Sequence, residues 1–190
     1  MDWYRVRHTI GMSLCVTASK RADYLKKHDI LGHIGDHCVT MFRKIPLYPK
    51  LISFGDCVII STNVTFVPHD VIHRTLNRYA HSEEFREEIG CIEIQDNVFV
   101  GSGVTILYNV SIGSNTVIAA GSLVNKDIPG NGIWGGVPAK YIASLDSLIE
   151  KRRNAPRIEI QYAKHGLSEE TAEACWKRFR EQRRVKDGTK

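Results

Sequence analysis

Nowhere in the 190 residues does an apolar run approach the roughly 18 that a bilayer-spanning helix needs, so no membrane span is expected. The first 21 residues, MDWYRVRHTIGMSLCVTASKR, are interrupted by charge and lack a secretory hydrophobic core, so no signal peptide is expected either. Cysteine is sparse and odd in number: Cys15, Cys38, Cys57, Cys91 and Cys175. That scatter argues against a disulfide framework and for reduced thiols in a cytoplasmic setting. A net charge of +5 suits anionic ligands such as phosphates but is too mild to imply nucleic acid. With 43% hydrophobic and 25% charged residues, the length fits one ordinary domain with appended helices.

What the sequence does contain is a period of six. From Ile94 to Pro129 an aliphatic residue opens every block: Ile94, Val100, Ile106, Ile112, Ile118 and Val124. Four places after each opener stands a second small or branched residue: Val98, Val104, Val110, Thr116, Ser122 and Ile128. Such a period matches neither a helix face nor strand alternation. It matches the hexapeptide repeat of a parallel β-helix, each block giving one short strand and one corner rich in Gly, Asn, Asp and Ser. The predicted fold class is therefore an all-β solenoid.

Around this register the chain divides into three. Residues 1–33 carry no repeat; Ala18–His28 has helical spacing and reads as a cap over the open end, with Asp29 as terminator. Residues 34–143 form the β-helix domain. Its first half runs in a shifted frame through Phe42, Tyr48, Phe54, Ile60 and Phe66, with Pro46, Ile52, Val58 and Val64 as partners. The frame lapses in a charged excursion at about 70–92, expected to protrude as a loop holding a short helix capped by Ser82 and ended by Gly90. A long insertion at one corner of a regular solenoid is usually functional. After Pro129 the glycines 130, 132, 135 and 136 with Pro138 read as a loop. Residues 144–190 read as a helical extension, with helices over 144–153 and 168–184. Ser168 is the expected cap of the second helix, and Ala172, Cys175 or Trp176, and Phe179 form its apolar stripe, expected to dock on the solenoid or on a neighbouring subunit. The basic run at 177–184 reads as a solvated face.

Three segments together resemble the hexapeptide-repeat acetyltransferases: NVTFVPHDVIHR at 63–74, NVFVGSGVTIL at 97–107 and IAAGSLVNKDIPGNGIWGGVPAKYI at 118–142. The branch they are most similar to contains the galactoside, maltose, xenobiotic and other sugar O-acetyltransferases. The resemblance implies a left-handed parallel β-helix, a homotrimer with its sites between neighbouring prisms, and acetyl-CoA as co-substrate with no metal. It implies acetyl transfer to a hydroxyl of a sugar or polysaccharide precursor in the cytoplasm. His69 stands where that family keeps its general base, and imidazole is the side chain best suited to accept a proton near neutral pH. Ser102, Ala120, Asn125, Lys126 and Lys140 fall where the family contacts CoA. Beside His69, Asp70 either orients the base or makes an Asx-type turn, and His73 is an acceptor contact or an ordinary loop histidine. Trp134 stacks on adenine or packs against the C-terminal helix. Cys38, Cys57 and Cys91 read as small buried hydrophobes.

The sequence departs from the galactoside branch where that branch holds its sugar. Met41 and Pro49 replace an Asn and an Asp, with Arg43, Lys44 and Tyr48 nearby, which points towards an acidic or nucleotide-linked acceptor. Ala143 stands in place of a later Arg near the CoA phosphate, leaving Lys140 to meet it. Two alternatives stay open. One is N-acetylation of an amino sugar or other small amine. The other is a γ-carbonic-anhydrase-like zinc protein drawing on His69, His73 and His81, since catalytic zinc needs three protein ligands and an open position.

Overall fold

The computed structural model describes residues 3–164 and 166–187. By its contacts the chain falls into two compact units, residues 1–148 and 149–190.

The first unit opens with helices α1 (Trp3–Leu14) and α2 (Ala18–Lys27), then strands β1 (His33–Ile34) and β2 (Val39–Thr40). A 3-10 turn at Pro49–Leu51 leads into β3 (Ile52–Phe54), β4 (Ile59–Ile60) and β5 (Thr65–Val67). The excursion holds β6 (His69–Asp70), α3 (His73–Ala80) and β7 (Glu88–Ile89). The regular coils follow as β8 (Ile92–Ile94), β9 (Val98–Val100), β10 (Thr105–Leu107), β11 (Val110–Ile112), β12 (Thr116–Ile118) and β13 (Leu123–Val124). Strands β14 (Gly132–Gly135) and β15 (Lys140–Ser144) close the unit.

These strands stack into three parallel sheets, β1-β3-β8-β11, β2-β4-β9-β12-β14 and β5-β10-β13, and the chain visits them in the same order on each turn. This is a three-sided parallel solenoid. Ile94 pairs with Ile112, one coil of 18 residues on, whereas Phe54 pairs with Ile94, 40 on, because the excursion intervenes. Antiparallel β15 seals the end of the second sheet against β14.

The hexad positions are the core. Ile94, Val100, Ile106, Ile112, Ile118 and Val124 are all fully buried, and their six partners from Val98 to Ile128 are nearly so. Burying each such aliphatic chain contributes roughly 1.5–3 kcal/mol. Thr116 and Ser122 share the interior because their hydroxyls donate to the carbonyls of Gly113 and Ala119, at 2.7 Å each.

The corners explain the rest of the composition. Asn97, Asn115 and Asn131 adopt left-handed backbone at one corner, with φ of 55°, 57° and 64°, a conformation that Asn tolerates better than most residues. Their amides stack, Asn97 Nδ2 donating to Asn115 Oδ1 at 2.7 Å and Asn115 Nδ2 to Asn131 Oδ1 at 3.1 Å. The neighbouring corner repeats the left-handed step at Asn63, Gly103 and Gly121.

At the amino-terminal end the expected cap is present as α2, started by Thr17, whose side chain accepts from the Lys20 amide, and followed by Asp29 in left-handed backbone. Its buried Arg21 donates to Thr40 O and Cys15 O, both at 2.9 Å, tying the helix to β2. Helix α1 was not foreseen; its charged stretch hides two buried anchors, His8 and Met12.

Four expectations need correction. The shifted frame breaks between 41 and 48: Tyr48 is exposed and Pro46 only half-buried, while Ile45 takes the interior position. The excursion's helix is α3, before Ser82 rather than after it, and it ends where His81 turns left-handed. Residues 132–135 are a strand, because Gly132 lets the backbone pass a Tyr141 ring that would lie 2.9 Å from a Cβ. Cys57 and Cys91 are exposed and only Cys38 is buried, since Cys57 stands at a left-handed corner.

Helix α4 (Leu145–Arg153) crosses the division between the units, with Ser144 Oγ accepting the Ser147 amide at 3.2 Å. The second unit holds the hairpin β16 (Tyr162–Ala163) and β17 (Gly166–Leu167), then α5 (Glu169–Asp187). Ser168 caps α5 as expected, its Oγ accepting the Thr171 amide at 3.2 Å. On the stripe, Trp176 and Phe179 pack on one another, and the Arg183 guanidinium lies 3.4 Å above the Phe179 ring.

Candidate active site

His69 sits where β5 ends and the chain leaves the solenoid. Its strand β6 pairs antiparallel with β7, His69 opposite Ile89, so the two ends of the excursion clamp together at the base. The ring is half-buried. Its Nδ1 is sealed from solvent and has no hydrogen-bond partner among the described residues, so the ring meets water through its remaining edge.

Three side chains organise this corner. Tyr48 packs its ring edge-to-face against the His69 imidazole, centroids 5.3 Å apart. Its hydroxyl donates to Glu87 Oε1 at 3.1 Å, a bond that raises the phenol pKa above its ordinary value. Tyr48 is itself in left-handed backbone at φ 50°, ψ 52°, unusual for an aromatic residue. Asp70 accepts the Ile72 amide at 3.0 Å and the Tyr108 hydroxyl at 2.7 Å. The Tyr108 bond, then the Ile72 amide, hold the Asp70 carboxyl below its usual range. Of the two readings of Asp70, the structure takes the Asx turn: it starts the excursion and anchors it to the solenoid through Tyr108. His73 opens α3, its Nδ1 likewise sealed without a partner.

Sheet register sorts the other candidates onto two edges. Val67, Leu107 and Val124 belong to one sheet, so Pro68–His69, Tyr108 and Asn125–Lys126 follow at the same corner. Ser102 and Ala120 lie instead at the neighbouring corner, above Thr62, where Gly103 N donates to Thr62 O and Gly121 N to Ser102 O. There Ser102 Oγ accepts from Thr62 Oγ1 at 3.2 Å. Lys140 is exposed on β15 opposite Gly135. Asn125 and Lys126 are exposed as well. Trp134 packs edge-on against Tyr141 of β15, centroids 5.5 Å apart. His69, His73 and His81 form no cluster that could hold a metal ion among the described residues.

Residues 92–126 match the family model for bacterial transferase hexapeptide, six repeats. The galactoside O-acetyltransferase of Escherichia coli is 36% identical over 115 residues, 60% of this chain and 54% of that protein. The galactoside O-acetyltransferase of Lactococcus lactis is 33% identical over 162 residues, 74% of this chain and 76% of that protein. The chain belongs to the hexapeptide-repeat acetyltransferases. A solved hexapeptide-repeat acetyltransferase of Vibrio cholerae, complexed with acetyl-CoA, shares the fold with a TM-score of 0.52 and 24% identity, covering 74% of this chain and 85% of that one. Membership in this fold group implies that the three-sided solenoid is a left-handed β-helix. The match to the Escherichia coli protein spans only about half of that relative's length.

The sequence singled out His69, yet the residues that hold its ring, Tyr48 and Glu87, went unread as such. One signal was available: Tyr48 occupies a hexad opening where a polar hydroxyl has no place in a core.

Proposed function

We propose that this member of the family is an acetyl-CoA-dependent O-acetyltransferase, acting on a hydroxyl of a sugar or polysaccharide precursor in the cytoplasm. The observation that carries the reading is His69, half-buried at the mouth of the excursion and braced by Tyr48. The relatives named galactoside O-acetyltransferases support hydroxyl transfer to a sugar, and the five free thiols support a reducing compartment.

In this mechanism the His69 imidazole takes the acceptor hydroxyl proton as that oxygen bonds to the thioester carbonyl carbon. The C–S bond then breaks, and the imidazolium returns the proton to the leaving CoA thiolate. No group on the protein is acylated. The base is worth about 100- to 10,000-fold in rate. Small residues at the second corner, Ser102, Ala120 and Gly121, suit close approach of a pantetheine arm; a Cβ at Gly121 would meet nothing within 4 Å. Asn125 offers an amide, and Lys126 and Lys140 offer point charges to phosphates.

The site is completed by a second copy in a homotrimer. His69, Asn125 and Lys126 share one edge, Ser102 and Ala120 another, so apposed edges of two chains gather what one chain separates. An outward row on the second sheet, Ile59, Phe99, Val117 and Ile133, gives such packing an apolar face.

The test is His69→Ala in an assay of thiol release from acetyl-CoA with an acceptor panel, beside sedimentation and acetyl-CoA binding. Transfer is expected to fall at least 100-fold, with trimer mass and acetyl-CoA affinity retained. Wild-type turnover in the variant would remove His69 from the mechanism.

A further inference from the structure

Beside the edge strand β5 lies a cleft of about 550 Å³, the size of a small-molecule site. Its walls are the segment 41–47, which passes from β2 to the 3-10 turn without forming a strand, and residues 62–66. Among the described residues, three cations line it, Arg5, Arg43 and Lys44, and no carboxylate does. We infer that this cleft selects an anionic acceptor, a sugar-sized molecule carrying a phosphate or carboxylate, and that Arg43 and Lys44 are its specificity residues.

The cleft is built rather than incidental. Arg5 Nε and Nη2 donate to Ile45 O at 3.3 and 3.1 Å, and the Ile45 amide donates to Thr9 Oγ1 at 3.2 Å. Arg43 Nη1 donates to Ser13 O at 3.0 Å. Helix α1 thus stitches the 41–47 wall in place and fixes both guanidinium groups. Lys44 stands exposed and has no hydrogen-bond or ion-pair partner among the described residues. Guanidinium and ammonium groups both favour phosphate or carboxylate oxygens, and Arg43 and Lys44 offer one of each on the same wall.

The cleft also leads to the base. Phe66 lines it and lies three residues before His69, a reach of at most about 10 Å along the chain. On the other wall, Leu47 lines it and the next residue is Tyr48, packed on the His69 ring. Both walls thus run on from the cleft to the His69 corner, and an acceptor anchored by its anion at the rim is aligned along them. The neutral side chains between, Phe66, Thr65 and Leu47, suit a sugar body.

The inference rests on the acyl-transfer reading of His69, and the experiment separates the two. Calorimetric binding of a hexose 6-phosphate, a hexuronate and the matching neutral methyl glycoside is measured on the wild type, Lys44→Gln and Arg43→Lys. This readout needs no turnover. An anionic ligand is expected to bind at least tenfold more tightly than the neutral one, and Lys44→Gln to erase most of that gap. Arg43→Lys, which keeps the charge but not the planar fork, is expected to lose a smaller part. Acetyl-CoA affinity is expected to stay within twofold in both variants. Equal binding of neutral and anionic ligands overturns the inference. So does a loss confined to acetyl-CoA, which would make the cleft part of the CoA path. Charge-selective binding with no thiol release from any acceptor would leave the cleft standing and reject the acyl-transfer reading instead.

Discussion

The Tyr48 ring meets the His69 imidazole nearly perpendicular, at 82°, with the Tyr48 hydroxyl tethered to Glu87 from the far end of the excursion. One aromatic side chain thereby joins the first coil, His69 and the returning strand. Misplacing a reacting group by about 1 Å costs up to about 100-fold in rate. Tyr48→Ala is therefore expected to lower kcat by about 10- to 100-fold without raising KM for acetyl-CoA, while Tyr48→Phe, which keeps the ring, loses no more than about fivefold. Steady-state kinetics of both variants decides this. An equal loss in the two would move the role from the ring to the hydroxyl.

The solenoid was legible because a three-sided coil buries the same two positions of every hexad, and from Ile94 to Ile128 no residue violates that rule. It became illegible where tertiary contacts replace the repeat. Segment 41–47 is held by Arg5 and Thr9 of α1, a helix whose own sequence shows no clean apolar stripe because one of its two buried anchors is a histidine. Strands β14 and β15 looked like a glycine loop because Gly132 serves ring packing, not turning. His69 was readable as the candidate base from its motif. The ring beside it was not, since Tyr48 and His69 are 21 positions apart and meet only through the stacking of coils.

Acid is expected to loosen the amino-terminal cap. His8 is buried on α1, with Nδ1 3.0 Å from the Tyr24 hydroxyl and its ring 5.3 Å from that of His28. Burial first, then the charges of His28 and Arg7, hold its pKa below the ordinary 6.5. The unfolded chain therefore binds the proton more readily than the folded one, so stability rises with pH through this window. His8 favours the fold fully above 6.5, and this contribution is lost as pH falls from 6.5 towards the depressed folded value. Urea midpoints at pH 7.5, 6.5 and 5.5 are expected to fall on acidification, and His8→Phe to flatten the slope. A slope unchanged by that substitution would assign the effect to other groups.

The asparagine ladder makes a backbone prediction. Asn115 holds φ 57° while its amide bonds Asn97 and Asn131. Asn115→Gly removes the side-chain bonds but accepts the conformation, whereas Asn115→Val loses the bonds and adds left-handed strain of roughly 1–2 kcal/mol. The valine variant is expected to be less stable than the glycine variant by about that amount in urea titration. Equal stabilities would mean that the corner relaxes out of left-handed backbone.

Lys140 provides the last test, because it separates two kinds of contact with the co-substrate. It stands exposed at the start of β15, opposite Gly135, on the strand that seals the solenoid's end. Ala143, one position before β15's last residue, is uncharged, and Lys140 is the strand's one cation. If Lys140 meets the 3′-phosphate of CoA, Lys140→Ala weakens acetyl-CoA by about 10- to 100-fold while leaving dephospho-acetyl-CoA nearly unchanged, since a charge-assisted bond is worth about 1.5–3 kcal/mol. Competition binding with the two ligands measures the difference directly. Equal loss for both ligands would place Lys140 on another part of the molecule, or make its role structural, and would pass the phosphate contact to Lys126.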